Sequence, residues 1–308
     1  MYVFILQRVI ALFPLLLGVS LLVFLMTQLV PGDPVMMMLG EYSVASAEDI
    51  EKLRTQLGFN DPLHVQYGRY LSGLVQGDLG DSMRSRKPVS QLILQRLPRT
   101  IELTVSALLF AILFGTVMGI TAALHHNSWL DYLTVTIALL GVSVPGFWLA
   151  LLLILFFSVY LGWLPVLSDP GIKGLILPML ALGLWAGGTI ARLVRSGMLE
   201  VIRQDYIRTA YAKGLADRSV VYRHALRNAL LPVVTVVGLQ FGQILAGTVI
   251  IEAVFSRPGL GLMLVNAINA KDFPLVQGII MFVAAAYIIV NSLVEILYVW
   301  VDPRIRYG

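Results

Sequence analysis

The run YAKGLADRSVVYRHALRNALLP, Tyr211 to Pro232, sets Arg, Lys, His and Asn side chains in the middle of an otherwise mostly apolar 308-residue sequence. It interrupts a chain that is 58% hydrophobic, and apolar sequence resumes at Pro232-Val233-Val234. The block reads as two short helices separated by Gly214. Asp205 through Lys213 form the first, and Asp217 caps the second, which runs to about Leu230. Arg223 and Arg227 share one face of the second helix, with Val221, Ala225 and Leu226 elsewhere around it. A loop that only sets topology needs fewer basic residues and no such pattern. Two patterned helices carrying small residues (Thr209, Ala210, Ala212, Gly214) point instead to docking chemistry: small side chains permit close approach, and the cations pair with an acidic rim.

Other chemistry is sparse. None of the five lysines is followed by Ser or Thr, so the chain carries no G-x-x-x-x-G-K-[ST] loop for ATP. Neither G-x-S-x-G nor H-E-x-x-H occurs, which leaves common membrane-hydrolase and zinc-protease readings without support. With no cysteine there is no disulfide, thiol nucleophile or cysteine metal site. His125-His126 are adjacent ligands without carboxylate support and read as a solvated loop. Glu295 is the one acidic residue well inside an apolar run, on the same helix face as Asn291; a structural hydrogen bond to a neighbouring helix is its expected role. Glu252 and Glu102 lie near run ends, where snorkelling or a local partner suffices. In VVTVVGLQFGQILAGTVIIE, Gly238, Gly242 and Ala246 form a small-residue face for helix packing. Gln240 and Gln243 either line an aqueous path there or act as hydrogen-bond glue.

These groups must be positioned by helices in a bilayer. Charged residues make up 13% of the chain, about half the usual share in soluble domains, and the mean hydropathy is +0.83. Six spans are expected, at about 9–30, 99–123, 131–161, 175–196, 232–253 and 275–300. The run from Val9 to Val30 exceeds a secretory apolar segment and reads as a retained first span. Val144-Pro145-Gly146 should kink the third span, and the fourth should begin near Pro178, where an early proline is tolerated. The organisation is then a first helix over 1–30, a loop subdomain over 31–98, and a five-helix core over 99–308 that includes the polar loop 197–230. Within 31–98, Ser46-Ala47-Glu48-Asp49 opens a capped helix stopped at Gly58, and a second follows Asp61-Pro62 as far as Gly77. Eight Lys/Arg between Arg192 and Arg227 face three acidic residues, while the rest of the chain is nearly balanced. Basic loops stay inside, so 197–230 and both termini are expected to be cytoplasmic, with 31–98 external.

The polar block resembles the cytoplasmic coupling loop of bacterial ABC-transporter permeases. That family's general pattern is E-A-A, three residues, Gly, then a later Leu-Pro; here Arg208-Thr209-Ala210, Gly214 and Leu231-Pro232 stand at those positions. The missing Glu and the longer interval to Pro232 match the dipeptide/oligopeptide/nickel branch. The similarity continues through Pro31-Gly32-Asp33-Pro34, Leu57-Gly58, Asp61-Pro62, Gln66-Tyr67, Gly77-Asp78-Leu79-Gly80 and Gly162-Trp163-Leu164-Pro165. It extends to Gly238-Leu239-Gln240-Phe241-Gly242, Pro258-Gly259-Leu260-Gly261 and Asp302-Pro303-Arg304-Ile305-Arg306.

The resemblance implies an all-α, six-span type I importer permease of the bacterial inner membrane. It implies a second related permease subunit, two cytoplasmic ATPase subunits holding ATP and Mg, and an extracytoplasmic solute-binding protein. The chain itself would be no enzyme and would bind no cofactor or nucleic acid. ATPase coupling would fall to Asp205, Tyr206, Arg208, Thr209, Ala210, Lys213, Gly214, Leu215 and Arg218. Gly238, Gln240, Gly242, Gln243 and Ala246 would serve the pathway or the subunit interface. Di- and oligopeptides are the expected cargo, with nickel-chelate, glutathione or another small solute as alternatives. A stand-alone proton-coupled carrier is the competing class, and one intramembrane acid is little for it.

Overall fold

The apolar runs fold as helices because a bilayer offers no partner for an unpaired backbone group. The computed structural model describes residues 2–29, 46–56, 58–167 and 171–301. The Pro31–Pro34 motif, Leu57 and the terminal Asp302-Pro303-Arg304-Ile305-Arg306 run lie outside the described residues. In chain order the helices are α1 (Tyr2–Leu29), α2 (Ala47–Gln56), α3 (Leu63–Gln76), α4 (Val89–Leu124), α5 (Trp129–Ser143) and α6 (Gly146–Leu153), which continues as π-helix over Ile154–Tyr160. Then come α7 (Ile172–Ile202), α8 (Asp205–Ala212), α9 (Asp217–Ser219, continued as π-helix through Val220–Ala225 into Leu226–Ala229), α10 (Leu231–Val254), α11 (Leu260–Asn269) and α12 (Phe273–Val301).

Among the described residues, α1, α4, α7, α10 and α12 are long and apolar enough to cross a membrane, and α5 with α6 makes a sixth span if the two are joined. The expected kink at Pro145 is sharper than a kink: α5 and α6 meet at 111°. Pro145 supplies no N–H and disfavours the helical region for Val144, which is extended at φ −85°, ψ 127°. Two expected boundaries also move. α7 starts at Ile172, so Pro178 lies inside the helix and not at its first turn. α4 starts at Val89, well before 99, and carries Pro98 within it.

Two compact units are built from these elements, one from Met1–Pro98 with Pro258–Ile289, the other from Arg99–Arg257 with Val290–Gly308. In the first, Ser46 caps α2 by accepting from the Asp49 N–H (3.2 Å) and donating to its carboxylate (2.7 Å). α3 ends at Gly77, whose φ of +77° lets the Asp78 N–H turn back to the Gly73 carbonyl. Phe24 of α1 packs on Tyr67 and Tyr70 of α3, with ring centroids 5.4 and 6.1 Å away. Val89, Ile93, Leu260, Ala267, Leu275 and Ile279 make the apolar core of this unit. Buried Asp272 ties down the 82–84 backbone, accepting from the Ser82 hydroxyl at 2.5 Å and from the Met83 and Arg84 N–H groups at 3.1 and 3.4 Å.

The second unit is centred on α7, where Ala186, Ile190, Val194 and Met198 recur every four residues and are fully buried. Small residues let α4 and α5 approach α7 to backbone contact. A Cβ at Gly115 or Gly119 would lie 2.7 Å from the Gly187 carbonyl or 2.6 Å from that of Ala191; one at Gly188 would lie 2.4 Å from the Ala138 carbonyl. The sequence reading placed the small-residue face on α10. That face divides: Gly238 packs on Val294 of α12, Gly242 is buried, and Ala246 is exposed.

Candidate functional site

The polar block forms a helix pair, α8 and α9, joined by a tight turn. Gly214 adopts φ +76°, its N–H bonds to the Tyr211 carbonyl, and the Leu215 N–H reaches back to Ala210. That pattern terminates α8 with a left-handed residue, which glycine adopts without a Cβ penalty. Asp217 does not cap α9 as expected. Backbone geometry makes Ala216 the capping residue, and the Asp217 carboxylate instead accepts from the Tyr211 hydroxyl at 2.5 Å across the turn. This hydrogen bond also pushes the Tyr211 phenol pKa above its ordinary value. A second tie runs from the Asn228 amide to the Tyr206 hydroxyl at 2.7 Å.

Each helix has an inner and an outer side. Ile207, Ala210, Val220, Val221, Ala225 and Ala229 are buried in one cluster with Val194 and Met198 of α7 and Val233 of α10. α7 comes close enough at Gly197 that a Cβ there would lie 3.0 Å from the Ala229 carbonyl. Asp205, Tyr206, Arg208, Thr209, Lys213, Gly214, Leu215 and Arg218 are all exposed, so the structure gathers eight of the nine expected coupling residues on the outer side. Ala210 is the exception, because the amphipathic turn of α8 points it inward; it supports the surface rather than forming it. Arg208 lies 3.6 Å from Asp205 of its own helix, with both side chains in solvent, a contact of little energetic weight.

The α10 residues separate. Gln240 is buried in helix packing, whereas Gln243 is exposed and borders a cavity of about 380 Å³ beside the α5–α6 break. Glu252 is fully buried and does not snorkel, which leaves the local partner of the two expected accommodations. Glu102 has local partners as expected, Arg99 at 3.2 Å and Arg257 at 2.7 Å. Glu295 is partly buried on α12.

Sequence reasoning missed one charged cluster. Asp131, 2% exposed at the start of α5, accepts two hydrogen bonds from Arg195 of α7, one from the Asn127 N–H, and contacts His126 Nδ1 at 3.2 Å. The loop 125–128 is therefore more than solvated turn. Pairing of a buried acid with a cation 64 residues away has no local signature. Among the described residues no group of His, Asp and Glu side chains forms a metal-ligand set.

Long apolar helices, one apolar helix pair bent at a break and a tethered polar helix pair define a polytopic membrane protein of the transporter kind. Residues 115–307 match the family described as "Binding-protein-dependent transport system inner membrane component", and residues 1–104 match its N-terminal companion. The chain belongs to this family and is the permease component of such a system. It is 44% identical to the dipeptide transport system permease protein DppB of Alkalihalophilus pseudofirmus, over 100% of both chains. It is 43% identical to the glutathione transport system permease protein GsiC of Escherichia coli K12, over 99% of both. A solved MetNI methionine ABC transporter in an inward-facing conformation shares the fold at TM-score 0.56 and 19% identity, covering 69% of this chain and 97% of that one. The fold is thus that of type I ABC importer permeases.

Proposed function

We propose that this chain is one of two permease subunits in an ATP-driven importer of di- and oligopeptides. The observation that carries the reading is the α8–Gly214–α9 pair: exposed and cationic outside, buried against α7 and α10 inside, and tied internally by Tyr211–Asp217 and Tyr206–Asn228. Such a unit suits a cytoplasmic ATPase cleft, because it carries a push at its surface into two spanning helices without deforming. An ATPase dimer that closes on ATP would shift the pair, and α7 and α10 with it, only if the pair fits its closed and open states differently. ATP and Mg reside on those partners, and a binding protein delivers solute on the opposite side. Both termini and the 197–230 loop face the cytoplasm, in keeping with their basic residues. The peptide class covers the dipeptide and glutathione cargo named for the full-length relatives, glutathione being itself a tripeptide.

Replacing Gly214 tests the docking. A Cβ there meets nothing within 4 Å, so Gly214→Trp projects bulk outward from the turn. ATPase co-purification and uptake should both fall, and Arg208→Glu, on an exposed position, should weaken association without backbone strain. Normal co-purification and uptake in both variants would sink the assignment.

A further inference from the structure

We infer that the break between α5 and α6 is a recognition site for the backbone of the transported peptide, an inference that rests on the importer reading above. Halfway along the span 129–160 the chain leaves the helical ladder. Across the break the backbone bonds are Val144 N–H to Leu140, and the Trp148 and Leu149 N–H groups to Pro145. By helix geometry the first N–H groups of α6, at Gly146 and Phe147, and the last carbonyls of α5, at Gly141, Val142 and Ser143, have no partner within their own helix, and Pro145 offers Gly141 no N–H. In hydrocarbon such groups carry a heavy penalty, so interrupted spans are tolerated where they are buried in protein or line a polar cavity. Broken helices beside a cavity are also a recurrent way of building solute sites in transporters.

A cavity of about 380 Å³ lies at this place, bordered by Ser143, Gly146 and Phe147 at the break, Trp185 of α7, and Gln243 and Ile250 of α10. The exposed Ser143 hydroxyl and Gln243 amide add donors and acceptors beside the freed backbone groups. N–H and C=O groups set side by side complement another peptide backbone, in the way a strand edge does. The N-terminal end of α6 brings a partial positive charge suited to a terminal carboxylate. Trp185 and Phe147 offer apolar faces, and the lining holds no charged side chain. The site therefore recognises what all peptides share and accepts varied side chains.

The sequence has no cysteine, so Gln243→Cys and Ser143→Cys each introduce a single thiol. The assembled transporter in proteoliposomes is treated with a membrane-impermeant methanethiosulfonate, with and without saturating alanyl-alanine. Both thiols should react and be protected by the dipeptide, whereas Leu113→Cys, exposed on apolar α4, should not react. Gln243→Leu should raise the dipeptide KM about tenfold, equivalent to about 1.4 kcal/mol of lost binding, with ATPase co-purification unchanged. Inert thiols, reactive thiols that the dipeptide fails to protect, or an unchanged KM overturn the inference, the cavity then being filled by lipid or a neighbouring subunit. Failure of the importer reading looks different: the unmodified chain would not retain an ATPase, whatever the thiol reactivity.

Discussion

Arg195 of α7 grips Asp131 of α5 with two parallel hydrogen bonds, Nε to Oδ1 at 2.7 Å and Nη2 to Oδ2 at 2.8 Å. The carboxylate side chain is 3% exposed and the guanidinium 26%, so water replaces little if one partner is removed. Asp131→Ala should then cost about 3 kcal/mol, the usual result of breaking a buried pair. Arg195→Ala should behave similarly, and the double variant should lose less than the sum, because it strands neither charge. Thermal unfolding of the purified chain in detergent measures all three. Additive losses would show that the fork carries no coupling energy.

Asp272 plays a comparable part in the other unit, where its carboxylate holds the Ser82 hydroxyl and the backbone of Met83 and Arg84. Without it the 82–87 turn loses its anchor, and local opening becomes easier. Limited trypsinolysis after Arg84 and Arg86 should accelerate about tenfold in Asp272→Ala, the loss of roughly one strong hydrogen-bonded contact. Asp272→Asn keeps one acceptor oxygen and should fall between. Equal digestion rates would mean that the apolar core alone fixes the turn.

How much of this was legible depended on the distance over which each cause acts. Helix ends at Ser46, Gly77 and Gly214 could be read from the sequence, because caps and left-handed residues are local devices. The break at Pro145 was legible as a bend, though its 111° depends on what packs around it. Charge patterning placed the polar pair, yet the inward turn of Ala210 follows from the register of α8 on α7. Asp217 misled because a carboxylate at a helix start can accept from its own backbone or from a side chain, and the Tyr211 hydroxyl claims it. Asp131–Arg195 and Asp272–Ser82 join residues far apart in the chain, where one sequence carries no pairing signal.

Glycine spacing marks a packing face on α10, but the closest approaches to backbone are elsewhere. A Cβ at Gly119 would meet the Ala191 carbonyl at 2.6 Å, and backbone in the middle of a buried helix has nowhere to go. A Cβ at Gly238 would meet a methyl of Val294 at 2.3 Å, a clash that a smaller side chain removes. Gly238→Ala should cost about 1–3 kcal/mol as overpacking and be rescued by Val294→Ala. Gly119→Ala should be at least as damaging and show no rescue by Val194→Ala. Thermal unfolding of the four variants decides it, and a rescue at both glycines would refute the distinction.

Two tyrosines on α3 should respond oppositely to loss of the hydroxyl. Tyr67 shares a hydrogen bond with Ser20 at 2.9 Å, so Tyr67→Phe should destabilise by about 1 kcal/mol. The Tyr70 hydroxyl is buried with no hydrogen-bond partner among the described residues, so Tyr70→Phe should be neutral or stabilising. Burial, aided by Tyr67, pushes the Tyr70 pKa up to about 12 from 10.0, which favours the neutral phenol in the fold. Its ionisation leaves stability unchanged below pH 10 and lowers it as pH rises from 10 through 12. Ultraviolet titration of the parent against Tyr70→Phe should show one tyrosinate missing near pH 12. A missing signal near pH 10 would place that hydroxyl in water.

The helix pair makes docking and transmission separable. Arg208 is exposed and lies 3.6 Å from Asp205 of its own helix, so Arg208→Glu should leave the melting temperature unchanged while weakening the hold on an ATPase with an acidic rim. Asn228→Ala does the reverse: it removes the amide that bonds Tyr206 and leaves the outer charges in place. If α8 and α9 transmit motion as one body, Asn228→Ala should retain the ATPase yet move less solute per ATP hydrolysed. Uptake and phosphate release measured together in proteoliposomes give that ratio directly. An unchanged ratio in Asn228→Ala would mean that the buried contacts to α7 are enough to carry the stroke, and that the Tyr206–Asn228 tie serves only the shape of the free surface.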